Sequence, residues 1–581
     1  MIVQIPCNVA RHLEVLANQE PHRMAVVFPQ SRDEDNRVSY THLTFQQLHE
    51  DSNRLASGFE SIGIRRGTRT VLMVQPSLDF FATTFALFKV GAVLVLIDPG
   101  MGIRNLGRCL AQAKPEAFIG VPKAHLARKL FGWSRTTIRT TVCTRKQRWL
   151  AEHNLDCLRR KSSGDYKCAL THPNDLAAIL FTSGSTGPAK GAIYTHHIFE
   201  KQVEILQKMY GISHGEVDLA TFPLFALFGP ALGMTAIIPD MNPTRPANVD
   251  PKKIVEAIEN FGVTNLFGSP ALLNRLARYD QLQSESLRSL KRVTSAGAPV
   301  PIKVIERLQS KLPEKAYIHT PYGATESLPV ATVCSRTLLK ETRQYSERGC
   351  GTCIGQPVSD MDVKIIAISD AAISNWQDGL SLPVSRIGEI VVHGPVVTQA
   401  YYAHEEANKL SKILDPQTGR NRHRMGDLGY LDSEGRLWFC GRKSHRVETE
   451  RGTLFSIPTE AIFNSHPMVF RSALVGVTFD GKKYPILCIE LEKDYTTHGP
   501  DIVGELFHLA KQQPHTRAIQ AILIHPKFPV DIRHNAKIFR EKLALWATQR
   551  LQRRKFHPQP LTEDVALPPT FDELRSRETP A

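Results

Sequence analysis

At 581 residues the chain exceeds what one hydrophobic core usually serves, so two or more domains are expected. Its 42% apolar and 22% charged content is that of an ordinary globular protein and excludes a fibrous or wholly disordered chain. The net charge of +15 favours anionic ligands such as nucleotides, acidic partners or a membrane surface, but no DNA- or RNA-recognition module accompanies it, which excludes a nucleic-acid partner. Ten scattered cysteines suit reduced thiols and a cytoplasmic location. The pair Cys350 and Cys353 has C-x-x-C spacing without a second pair nearby, so metal or redox use there is a minority expectation. The first residues lack a basic stretch followed by an apolar one, so no signal peptide is expected.

Thr44 with Gln47 three residues on forms a capping box, and Leu48, Leu55, Phe59 and Ile62 continue at helical spacing. Residues 70–74 read as a strand, 78–89 as a helix, and 92–97 as a second strand. The apolar run 80–97 carries Lys89 and Gly91 in its middle, which fits a buried helix and strand better than a membrane span. A helix near 104–113 and a strand at 117–119 follow, and this alternation implies a largely parallel sheet covered by helices. Residues 121–175 are basic and irregular and receive no assignment.

The apolar run 176–181 reads as a buried strand and leads into Thr182-Ser183-Gly184-Ser185-Thr186-Gly187-Pro188-Ala189-Lys190-Gly191. Glycines allow close backbone approach, successive N–H groups in such a turn form an anion-binding concavity, and the hydroxyls and Lys190 add donors and charge. These groups suit a triphosphate. The spacing is not the common G-x-x-x-x-G-K-[ST] loop, because Pro188 and Ala189 intervene and Gly191 follows the lysine. Residues 222–228 are aromatic and apolar, either core or the wall of an acyl pocket. Strands at 263–267 and 293–297 end in glycine-containing turns, where ligands of such sheets bind. Tyr322-Gly323-Ala324-Thr325-Glu326 places a ring, a turn, a hydroxyl and a carboxylate within five residues, able to stack a base, touch a phosphate and hold Mg²⁺. Asp427, in a turn after Gly426, can accept from a ribose diol, and Arg442 to His445 reads as a domain junction. Strands are expected near 473–477 and 486–490, and Lys537 precedes a helix at 541–550. The Pro-rich, polar end, 558–581, is expected to be disordered.

Taken in this order, the motifs resemble those of the adenylate-forming superfamily of acyl-CoA synthetases, luciferases and adenylation domains, over roughly residues 20 to 545. The resemblance implies an α/β fold: a large layered N-terminal domain of α/β sheets (1–441) and a small, mobile α+β C-terminal domain (442–557), with the cleft between them. It implies a phosphate loop from Thr182 to Gly191, an adenine-facing segment Gly297-Ala298-Pro299, and an adenine-stacking Tyr322. It further implies a phosphate-contacting Thr325, a Mg²⁺ carboxylate at Glu326, a ribose acid at Asp427 with Arg442 beside it, and a catalytic lysine at Lys537. Glu326, Thr182 and Lys190 complete the expected catalytic set, with ATP and Mg²⁺ as cofactors.

More narrowly, residues 222–228, 238–246, 322–329 and 533–537 resemble those of the bacterial olefin-pathway β-lactone synthetases. Ala226 stands where many CoA ligases carry a histidine, leaving room beside Phe225 and Phe228 for a branched acyl chain. The stretch 447–452 is acidic where ligases carry a Lys-x-x-Gly-like turn, which argues against CoA. The resemblance therefore implies ATP-dependent conversion of a 2-alkyl-3-hydroxy fatty acid to a β-lactone. A long-chain fatty acid–CoA ligase shares every adenylation residue and is the alternative, and a non-catalytic nucleotide-binding scaffold is a third. The basic surface and greasy substrate allow assembly with other pathway enzymes or peripheral contact with a membrane.

Overall fold

The structure is a computed structural model that describes residues 7–147, 149–182, 189–222, 228–492, 501–531 and 537–578. Ser183, Gly184, Ser185, Thr186 and Gly187 of the glycine-rich loop lie outside the described residues, as do Phe225, Ala226 and the side chain of Thr182.

The first half builds a seven-stranded sheet in the spatial order His153–Asn154, Thr140–Cys143, Ala117–Gly120, Arg69–Met73, Val93–Ile97, Leu176–Thr182, Lys190–Thr195. All its neighbours run parallel except the last pair, in which Thr182 is registered opposite Lys190. The glycine-rich loop thus joins two antiparallel neighbours at the end of a buried strand. The helix Leu78–Val90 is capped by Ser77 and stopped by Gly91, whose φ of 73° is left-handed and open to glycine at little cost. Its Lys89 is buried, yet its ammonium donates to Asn53 Oδ1 at 2.5 Å, Ser52 Oγ at 2.8 Å and the His49 carbonyl at 2.9 Å. Burial lowers its pKa to about 7, which is how a lysine sits inside an apolar run.

A second sheet of fourteen strands carries a parallel core of Met24–Arg32, Thr235–Ile237, Val217–Ala220, Asn265–Phe267, Arg292–Thr294 and Tyr317–Ala324, continued at both ends by antiparallel strands. The stretch 121–175, unassigned from sequence, holds two short strands and the helices Pro122–Leu130 and Leu155–Lys161. The second of these helices begins at Asn154, whose side chain accepts from the Cys157 N–H. Cys350 and Cys353 are both buried in the apolar core beside Trp438 and Tyr430, and burial raises both thiols, to about 12 and about 11.

Beyond Arg442, two core clusters draw only on residues 447–565, around the strands Val469–Phe479, Lys482–Leu491 and Ala521–Ile524. Helix Arg540–Arg553 is pinned to helix Ser456–Asn464 by Arg540, which donates to both oxygens of buried Glu460 at 2.6 and 2.7 Å. Before that helix, Asp531 N–H donates to the Lys537 carbonyl and Phe539 N–H to that of Pro529, both at 2.9 Å. Among the described residues no helix is long and apolar enough to cross a membrane.

The end of the chain departs from the expected disorder. Residues 559–565 run beside the hairpin after Arg442, where Val565 N–H donates to the Arg451 carbonyl at 2.8 Å. The helix Phe571–Glu578 then docks on the core around Tyr345, Tyr430 and Trp438. Phe571 is 3% exposed, stacks on Trp438 with centroids 5.4 Å apart, meets Tyr345 edge-on at 4.6 Å, and lies 4.3 Å from the Arg436 guanidinium. Asp572 accepts from Ser433 N–H at 3.0 Å and Ser433 Oγ at 2.6 Å. Polar composition suggested disorder, but one aromatic anchor and Leu574, one turn on, suffice to hold a short helix in a prepared groove. Truncating a buried phenylalanine costs about 3–5 kcal/mol. Phe571→Ala is therefore expected to speed tryptic cleavage at Arg575 and Arg577 about a hundredfold, because cleavage follows the open population. Mass spectrometry of timed digests checks this, and unchanged cleavage would refute the anchoring role.

Candidate active site

A cavity of about 600 Å³ lies where the two sheets and the segment around Lys537 meet. The parallel strands deliver Thr221 and Phe222, Phe267 and Ser269, and Ala296 and Gly297 to it from their carboxyl ends. Lys190, Thr325, Glu326, Arg442 and Lys537 line a charged region, while Phe85, Phe88, Phe199, Phe222, Phe228 and Phe267 line an aromatic one.

Two glycines are shaped by this arrangement. Gly297 has a φ of 93°, a left-handed conformation that lets the backbone turn at the end of strand Arg292–Thr294. At Gly323 a Cβ would come within 2.6 Å of the Ser327 carbonyl, so the tight hairpin from Tyr317–Ala324 into Ser327–Cys334 excludes any side chain there. That hairpin presents Thr325 and Glu326. The Thr325 carbonyl accepts from Tyr194 Oη at 2.7 Å, and Glu326 Oε1 accepts from Tyr401 Oη at 2.6 Å. Thr398 donates through its N–H at 2.9 Å and its hydroxyl at 3.0 Å to the Glu326 carbonyl. Lys412, 6% exposed, donates to Thr398 in turn, and its ammonium lies 5.6 Å from the Tyr401 ring centre on which Lys190 also sits, at 5.2 Å. Burial brings the Lys412 pKa down to about 7 despite Glu326 nearby.

Asp427 and Tyr322 stand behind this wall rather than on it. Tyr322 Oη donates to Asp427 Oδ2 at 2.6 Å, and Arg442 Nε lies 3.1 Å from Asp427 Oδ1. Strand register explains the second contact, since Asp427 and Arg442 are direct partners on adjacent antiparallel strands. Burial pushes the Asp427 carboxyl above its usual range, with Arg442 pulling the other way. Buried Glu389 is committed to Arg424, at 2.6 Å, and to Lys443, at 3.2 Å.

Of the residues singled out from sequence, the structure therefore brings Lys190, Gly297, Gly323, Thr325, Glu326, Arg442, Phe228 and Lys537 to one cavity, with Ala298 and Pro299 continuing the turn after Gly297. Sequence inspection did not single out Tyr194, Gln202, Tyr401, Lys412 or His423. None sits in a motif of its own: Tyr194, Gln202 and Tyr401 are placed by contacts across 131, 126 and 75 positions, Lys412 and His423 by contacts across 14 and 12. The acidic stretch 447–452 forms a two-stranded hairpin in which Glu448 pairs with Arg446 at 2.9 Å and Glu450 with Lys482 at 2.9 Å. Its charge is locally balanced, which weakens the electrostatic argument against CoA.

Among the described residues no group of three or more His, Cys, Asp or Glu side chains could hold a metal ion. Magnesium bound with a nucleotide takes phosphate and water oxygens and needs only one or two protein carboxylates, so a lone Glu326 beside Lys190 fits such an ion.

Residues 13–402 match the AMP-binding enzyme family. The chain is 47% identical over 555 residues to "Olefin beta-lactone synthetase" of Stenotrophomonas maltophilia, covering 94% of this chain and 99% of that protein. It is 47% identical over 548 residues to the protein of the same name from Xanthomonas campestris pv. campestris, covering 94% and 98%. The solved structure of ATP-bound MatB from Rhodopseudomonas palustris superposes with a TM-score of 0.76 at 18% identity, over 94% of this chain and all of that one, a likeness of fold. A cavity with charged and aromatic walls, this fold and these identities together place the chain in the AMP-binding enzyme family, as an ATP-dependent adenylate-forming enzyme.

Proposed function

We propose that the protein activates a 2-alkyl-3-hydroxy fatty acid with ATP and closes it to a β-lactone. The observation that carries this reading is the continuity of the charged and aromatic walls in one cavity, so that a carboxylate meets phosphate-binding groups while its alkyl chains stay among Phe85, Phe88, Phe199 and Phe228. The names of the two bacterial relatives supply the product class.

A substrate carboxylate oxygen attacks the α-phosphorus, the bond to the β-phosphate oxygen breaks, and pyrophosphate leaves. Lys190, Arg442 and Lys537 offset the growing negative charge, so the protein's part is positioning and electrostatics. Glu326 would hold a magnesium ion, which when bound would neutralise phosphate charge. In the second step the 3-hydroxyl oxygen bonds to C1, the bond from C1 to the phosphate oxygen breaks, AMP leaves with the electron pair, and the hydroxyl proton passes to solvent. Ring strain opposes closure, but tethering the nucleophile can contribute up to about 10 kcal/mol. A hydroxyl in the same acyl group then outcompetes an external thiol, and CoA is superfluous. ATP and the acyl acid are the partners in this reading, and assembly with other enzymes of the same route is left to the basic surface.

Product analysis tests it. With ATP, Mg²⁺ and the hydroxy acid, the protein is expected to form lactone and AMP in equal amounts, with or without CoA. Stoichiometric acyl-CoA and no lactone would replace this reading with that of a CoA ligase.

A further inference from the structure

The aromatic region of the cavity contains one amide whose hydrogen bonding is incomplete. Gln202 lies on the helix His196–Tyr210, one turn after Phe199, and both line the cavity. The helix starts at Thr195, whose hydroxyl accepts from Ile198 N–H, and ends at left-handed Gly211, so its register is set at both ends.

Gln202 is 4% exposed. Its Nε2 donates to the Leu328 carbonyl at 2.8 Å, which orients the amide. The same amide lies beside the Tyr194 phenol, where it opposes the upward push that burial gives that group. Tyr194 spends its own proton on the Thr325 carbonyl at 2.7 Å. The amide is thus held against the 325–328 segment, and its remaining oxygen, Oε1, is buried with no hydrogen-bond partner. A buried acceptor left without a donor is costly and calls for one. The phenyl rings of Phe199 and Phe228, which line the same cavity, have none to give.

Resting on the proposed lactone chemistry, we propose that Gln202 Oε1 accepts a hydrogen bond from the substrate's 3-hydroxyl, making Gln202 the residue that selects and orients a β-hydroxy acid. The placement agrees with the connectivity of the substrate. The hydroxyl oxygen is three bonds from the carboxyl carbon, and Gln202 is linked to Thr325, on the charged wall, through a single side chain. Accepting the hydroxyl proton in a hydrogen bond leaves the oxygen lone pairs directed away from the amide and free to reach C1. An amide does not remove the proton, so Gln202 positions the nucleophile and is not its base.

The test compares adenylation of a 2-alkyl-3-hydroxy acid with that of the matching acid lacking the hydroxyl, by pyrophosphate exchange, in wild type, Gln202→Met and Gln202→Asn. The readout is the ratio of kcat/KM for the two acids. Because it is taken within each protein, partial unfolding does not alter it. The wild-type ratio is expected to favour the hydroxy acid, and Gln202→Met to lower it about tenfold or more. Gln202→Asn, which keeps the amide but shortens its reach, should fall between them. An unchanged ratio in both variants would overturn the role of Gln202, whatever the product. Absence of lactone from the wild type, with the ratio still falling in Gln202→Met, would instead overturn the lactone reading and leave hydroxyl recognition standing.

Discussion

Replacing Lys537 with alanine is expected to lower acyl-adenylate formation about a hundredfold or more. The lysine lines the cavity together with Lys190, Glu326 and Arg442, and its carbonyl accepts from the Asp531 N–H. Three residues on, Arg540 donates to both oxygens of buried Glu460. Attack on the α-phosphorus concentrates negative charge on the phosphoryl oxygens only in the transition state. A cation aimed at that charge therefore acts on kcat more than on ground-state binding. Loss of one such donor in a low-dielectric site costs about 3 kcal/mol or more, which is the hundredfold. Pyrophosphate exchange measures it, with the KM for ATP expected to change little and the thermal midpoint held. Near-wild-type exchange would remove Lys537 from the reaction.

Legibility from sequence followed how local each feature is. The phosphate-loop strand, the Tyr322–Glu326 turn and Asp427 could be read because a few residue types at short spacing must meet one backbone demand, as Gly323 does where a Cβ would strike the Ser327 carbonyl. The helix carrying Lys89 could be read as buried because a glycine and a lysine interrupt its apolar run, although the network of Asn53, Ser52 and His49 that satisfies the ammonium could not. In residues 140–161 the strands span four and two residues, too short for periodicity to register. The terminal helix was hidden for another reason. Its apolar content is largely Phe571 and Leu574, and the groove they enter is built by Tyr345, Tyr430 and Trp438, far away in sequence. Tyr401 and Gln202 are of the same kind, since Tyr401 reaches Glu326 across 75 positions and Gln202 reaches Leu328 across 126.

Replacing Asp427 with asparagine is expected to reduce kcat/KM for ATP about a hundredfold, chiefly through KM, while leaving the KM for the acyl substrate nearly unchanged. Asp427 is 2% exposed and serves two partners at once, accepting from Tyr322 and pairing with Arg442. Asparagine keeps the shape and removes the charge, so the Arg442 guanidinium, whose side chain is 38% exposed toward the cavity, loses its counter-ion. Losing a hydrogen bond to a charged group costs about 1.5–3 kcal/mol, part of it in stability and part in the ligand contacts the pair arranges. If Asp427 accepts from the ribose diol, the loss falls on the nucleotide. A pH profile separates this from a merely structural role. Burial holds the Asp427 pKa above the ordinary carboxylate value, so on acidification it takes up its proton earlier than an exposed aspartate would. Wild-type kcat/KM for ATP should therefore fall on the acid side as Asp427 is neutralised. The asparagine variant, already neutral there, should start low and lack that limb. An acid limb that survives unchanged in the variant, or a loss shared equally by the acyl substrate, would mean that Asp427 only holds Tyr322 and Arg442 in place.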